Sequence, residues 1–85
     1  MTAIFDPHTF MTSLGKQVRS ARRAAELTQL ELAELAGIGK STVFDIEKGK
    51  INVQMSTLLQ VLRVLHIGLE IVSPLDAVKM GRQVP

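Results

Sequence analysis

The stretch LTQLELAELAGIGKSTVFDIEKG, residues 27–49, decides the fold. It contains GKST at 39–42, the letters that close the phosphate-binding loop of many nucleotide hydrolases. That signature needs an earlier glycine, with four residues between it and Gly39, and a strand feeding the loop. The position is Glu34. A carboxylate there repels phosphate and lacks the backbone freedom of glycine. The residues before it read as helix, so the nucleotide reading fails. A different pattern fits. Thr28 with Glu31 forms a capping box, and Leu27 can staple onto Leu32. The helix it opens runs from Gln29 to Leu35 or Ala36, with Leu32, Ala33 and Ala36 inward. Gly37 stands where a left-handed end is wanted. A second short helix runs from Lys40 or Ser41 to Lys48, with Val43 and Ile46 as its apolar positions and Gly49 as its stop. Two short helices joined by a glycine-containing turn make a helix-turn-helix.

Working outward, Thr12 or Ser13 caps an earlier helix to about Ala25, with Leu14, Val18, Ala21 and Ala25 as its stripe. Residues 1–11 read as a flexible arm with at most one turn at Asp6-Pro7. After the loop at 49–54, Met55 to Leu65 is amphipathic, with Met55, Leu58, Leu59, Leu62 and Leu65 as core. The period then becomes alternating over 67–73, with Ile67, Leu69 and Ile71 on one side. A lone strand cannot satisfy its backbone, so its simplest partner is the same strand of a second copy. The tail at 74–85 has no clear period. The expectation is an all-α, four- to five-helix helix-turn-helix domain over 12–66, a dimerisation strand at 67–73 and a flexible tail.

Length and composition limit the rest. The chain has 85 residues, enough for one small domain whose core gains from dimerisation. The net charge is +2, too small to prove a nucleic-acid partner by itself. The absence of cysteine excludes disulfides and any Cys-based zinc site. Only His8 and His66 are histidines, far apart, which gives metal or general-base chemistry little support. His66 ends an apolar run and suits capping or packing. No stretch is long and apolar enough for a membrane span, and no signal peptide is evident. The expectation is a cytoplasmic protein with no enzyme activity, cofactor or metal.

The region from Leu14 to Leu65 resembles the Xre and phage-repressor class of helix-turn-helix proteins. The pattern is R-x5-T-Q-x2-LA-x2-AG-I-x5-V-x2-I-E-x-G over two helices. The alternating segment and short tail resemble its HipB-like branch. The resemblance implies a homodimeric repressor on a near-palindromic double-stranded operator. The branch implies the antitoxin of a HipBA-like toxin–antitoxin pair, binding a kinase-like toxin through surfaces away from the reading helix. A stand-alone repressor without a toxin, or a protein-interaction module without DNA, are the alternatives.

In such motifs the second helix lies in the major groove and its leading residues meet base edges. Here these are Gly39, Lys40, Ser41 and Thr42, followed one turn later by Phe44 and Asp45. Lys40 suits guanine O6 and N7. Phe44 either packs on a thymine methyl or buries its ring; its position, only in part opposite Val43 and Ile46, favours the groove. Asp45 would be costly near phosphate but can accept from a cytosine amine or hold Lys40. The family places a DNA phosphate at the position of Gln29, with Thr28 beside it. Lys48, Lys50 and Asn52 reach the flanking backbone, and Arg19 and Arg23 are further phosphate candidates. Arg22 and Glu47 match the family's structural ion pair between first and third helices, not DNA contacts. The chain departs from the family at Glu26, where glycine usually ends the first helix. Either that turn differs or Glu26 takes the strain.

Overall fold

The computed structural model describes residues 6–70. Four helices occur among them: α1 (Pro7–Ala24), α2 (Gln29–Ala36), α3 (Lys40–Glu47) and α4 (Met55–Val64). No strand occurs among the described residues. Those from 67 to 70 are not in regular structure, and the rest of the expected strand, with Ile71, lies outside the described residues.

Helix α1 begins earlier than the sequence reading placed it. Asp6 caps it, accepting from the His8 N–H at 3.1 Å and the Thr9 hydroxyl at 2.9 Å. Pro7 occupies the first turn, where its missing N–H costs nothing. Residues 7–11 are therefore helix rather than arm, and neither Thr12 nor Ser13 is the cap. The buried face is Met11, Leu14, Gly15 and Val18. Ala21 is half-buried and Ala25 is exposed, just past the last turn. The face thus keeps Leu14 and Val18, reaches back to Met11 and includes Gly15. A glycine in the middle of an apolar stripe looks like an interruption until its neighbour is known.

That neighbour is α3. A Cβ on Gly15 would stand 2.4 Å from the Ile46 carbonyl oxygen and 2.9 Å from that of Glu47. Gly15 is what lets α1 approach the C-terminal end of α3. The core they share is Leu14, Val18, Leu32, Ala33, Val43, Ile46, Leu58, Val61 and Leu62, with Met11 and Ala36 at its margins. Helix α2 packs against both α3 and α4, and α1 closes the other side of α3. In α4 the inward residues are Leu58, Val61 and Leu62. Met55 and Leu59, expected in the core, are exposed, because the packed side of α4 is centred on Val61.

Each of the four helices ends in the same turn. The left-handed residue donates its N–H three residues back, and the residue after it donates five back, at 2.9–3.2 Å. The left-handed residues are Glu26 (φ 60), Gly37 (φ 72), Gly49 (φ 83) and His66 (φ 59). So the exit of α1 keeps the usual turn, and Glu26 takes the strain that a glycine would avoid. At Gly49 a side chain would also strike Thr12, whose Cα would lie 2.9 Å from a Cβ.

Candidate nucleic-acid interface

Helices α2 and α3 are joined by Gly37, Ile38 and Gly39, with Ile38 packed on the core. Val43 and Ile46 are fully buried and fix the rotation of α3. This turns Lys40, Ser41 and Phe44 outward, with Thr42 and Asp45 half-exposed beside them. Gly39 precedes α3 in extended geometry, and no side chain caps the helix. Its first backbone N–H groups therefore remain available to an acceptor.

Phe44 is 47% exposed, so it is not a core residue. The Lys48 ammonium lies over it, 5.4 Å from the ring centre, in cation–π range. Phe44 and Lys48 border a cleft with Arg19, Arg22, Gln29 and Glu47. Arg19 also borders the outer face of α1, beside Lys16, Ser20 and Arg23. The structure thus brings Arg19, Gln29 and Lys48 together and leaves Arg23 outside that cleft.

Beneath the cleft lies a network that orders it. Arg22 Nε donates to Glu47 Oε2 at 2.6 Å and Nη2 to Oε1 at 3.1 Å. Nη1 donates to the Leu27 carbonyl at 2.8 Å. Both side chains are almost wholly buried, at 11% and 5% exposure. Hydrogen bonding to Glu47 first of all, and then that carboxylate's charge, hold the guanidinium above its ordinary pKa despite burial. Gln29 Nε2 donates to the same Glu47 Oε1 at 3.1 Å. One amide hydrogen of Gln29 is thereby committed inward, leaving the other for an outside acceptor. Thr28 accepts from the Glu31 N–H at 3.0 Å while Glu31 Oε1 accepts from the Thr28 N–H at 2.8 Å, which completes the capping box.

On the other edge of α3, Asp45 does not hold Lys40. Its partner is Lys50, with Nζ 3.2 Å from Oδ1. Thr42, Asp45, Lys50 and Asn52 line a second polar cleft with Gln54 and Thr57 of the loop and α4. The sequence reading did not single out Gln54 and Thr57. They precede and open an apolar helix, and only folding brings them beside α3.

The sequence pattern of the helix-turn-helix family matches residues 18–72, which include α2, the turn and α3. The chain belongs to this family. The helix-turn-helix chain is also similar to a Sinorhizobium fredii protein named as an uncharacterized HTH-type transcriptional regulator, y4mF. The two are 39% identical over 61 residues, covering 72% of this chain and 80% of that protein. It is similar as well to the immunity repressor protein of Bacillus phage phi105, 36% identical over 55 residues. That match covers 65% of the helix-turn-helix chain but only 38% of the phage protein, so the chain spans well under half of its length. Among the described residues no helix is long and apolar enough to cross a membrane, and no cluster of three or more His, Asp or Glu is placed to hold a metal ion.

Proposed function

We propose that the chain is a sequence-specific DNA-binding transcriptional repressor. The observation that carries this is the orientation of α3: Val43 and Ile46 are fully buried, while Lys40 and Ser41 stand exposed at its uncapped start. A helix held so presents hydrogen-bonding side chains and free N–H groups at one end, as major-groove reading needs. Family membership and relatives named as a transcriptional regulator and a repressor support the same reading.

In this proposal Gly39, Lys40, Ser41, Thr42, Phe44 and Asp45 meet bases. Thr28, Gln29, Lys48, Asn52 and Arg19 meet phosphates, with Arg23 at the periphery. Arg22 and Glu47 hold the scaffold. The protein acts as a homodimer on a near-palindromic operator, with Ile67, Leu69 and Ile71 in the dimer contact, and works in the cytoplasm. The finer reading is the antitoxin of a HipBA-like system, which rests on resemblance alone. It stands or falls on whether a kinase-like toxin co-purifies.

The test of DNA reading is selection of duplexes from a random pool, then binding with Lys40→Ala and Ser41→Ala. Wild type should enrich one near-palindrome, and each variant should lose preference at particular base pairs while remaining folded. A protein that enriches no sequence at modest ionic strength is not a repressor of this kind.

A further inference from the structure

The four helix-ending turns differ in one respect. The residue after the left-handed position is folded back onto the helix, beside the side chain five residues earlier. After α1, α2 and α4 this residue is apolar: Leu27, Ile38 and Ile67, the last two packed against the core. An apolar residue is the usual occupant, because the turn brings it onto the helix's apolar side. After α3 it is Lys50, which is exposed.

The turn that returns Leu27, Ile38 and Ile67 to their helices returns Lys50 to Asp45. Its N–H bonds the Asp45 carbonyl at 3.1 Å and its ammonium lies 3.2 Å from the Asp45 carboxylate. The base of the Lys50 side chain is thereby fixed by backbone geometry, not by chance rotamers. Asp45 in turn shares a polar cleft with Thr42, one turn earlier on α3. A bare carboxylate at that place would be driven from a groove walled by phosphates. Lys40, the nearest cation earlier on the helix, does not pair with it, and Lys48 lies over Phe44 on the other edge.

We propose that Lys50 is a positioning residue for base recognition: it neutralises and orients the Asp45 carboxylate, which then accepts from the amino group of a cytosine in each half-site. Cytosine is the base whose major-groove edge offers a lone amino donor to a carboxylate. The inference rests on the DNA-binding reading and replaces the simpler view of Lys50 as an independent phosphate contact. In that simpler view its loss weakens all sequences alike.

A double-mutant cycle on the selected operator separates the two. Lys50→Ala should weaken binding by at least ~10-fold, because it strands a charge in the interface. In an Asp45→Asn background the same change should cost no more than about twofold. Duplexes selected by Lys50→Ala should lose cytosine at one position of each half-site, and Lys50→Arg should keep it. Equal losses from Lys50→Ala in both backgrounds, with base preference unchanged, would overturn the proposal and leave Lys50 a phosphate contact. The Lys50 side chain is exposed and that of Asp45 half-exposed, at 57% and 37%, so the variants should retain wild-type circular dichroism. If wild type itself selects no operator, the DNA-binding reading falls and this inference with it. Additive losses on a well-selected operator remove the role of Lys50 only.

Discussion

Helix α3 carries two ion pairs in opposite settings. Glu47 meets Arg22 of α1 across 25 residues of sequence, in a place nearly closed to solvent. Asp45 meets Lys50 across one turn, in the open. The first carboxylate is surrounded by donors: two guanidinium nitrogens and the Gln29 amide. The second has one ammonium and water. The same chemistry therefore has two uses on one short helix. The buried pair ties α1, α2 and α3 into one body, and the exposed pair shapes a surface. The comparison breaks first at its strong end. Glu47→Ala leaves Arg22 charged and partnered only by the Leu27 carbonyl. It should lower unfolding free energy by about 3–5 kcal/mol, read by urea denaturation. A loss below ~1 kcal/mol would mean that the buried pair contributes no more than a surface one.

The pair also depends on how closely the helices approach. Gly15 faces the last carbonyls of α3, directly beside Glu47. In a free helix, glycine to alanine stabilises by about 1 kcal/mol. Here the added methyl meets backbone that cannot swing aside. Gly15→Ala should therefore destabilise, by about 1–3 kcal/mol, as overpacking does. Because α1 must move off α3, part of that loss should vanish in the Glu47→Ala background. Simple additivity of the two changes would detach the close approach from the ion pair.

These two features also mark the limit of what the sequence could reveal. The α2–turn–α3 unit was legible because its signals are local: Thr28 with Glu31 for the start, Gly37 and Gly49 for the ends, and the Val43–Ile46 spacing for the inner face. The start of α1 was also written locally, as Asp6 before Pro7. Only one turn was expected there, because residues 7–10, Pro-His-Thr-Phe, carry no sustained apolar period. The neighbour of Gly15 is 31 residues away at Ile46, and no local rule points there. Arg22 and Glu47 are likewise remote, and only resemblance suggested them. The partner of Asp45 lay close in sequence but beyond the three- and four-residue spacing that pairs side chains on a helix. It meets Asp45 only because Gly49 folds the chain back. Phe44 stayed ambiguous because a helix's periodicity cannot rank the residues at the edge of its buried face.

The third change concerns the helix ends. Two of the left-handed residues are glycine and two are not. Glu26 makes no side-chain hydrogen bond among the described residues that would offset its φ of 60°. Removing its Cβ relieves steric cost, while the added freedom of the unfolded chain subtracts from the gain. Glu26→Gly should stabilise by about 0.5–1 kcal/mol, visible as a rise in Tm. A fall would show that the side chain supports α1 in some way the turn geometry does not reveal.

The smallest effect is expected at the exposed pair, and it is the one that separates scaffold from surface. Asp45→Asn keeps the size of the side chain and removes its charge. An exposed ion pair is screened by water and salt and contributes ~0–1 kcal/mol. Asp45 also lies in the last turn of α3, where a negative charge faces the negative pole of the helix. The two terms oppose each other, so unfolding free energy should change by less than about 0.5 kcal/mol. Raising salt should shrink even that difference, because the charges are within reach of counterions. By contrast, the cost of Glu47→Ala should persist in high salt, since neither partner there is open to ions. A large, salt-resistant loss at Asp45 would mean that it too belongs to the scaffold, and a pair with that role is not free to be spent on reading a base.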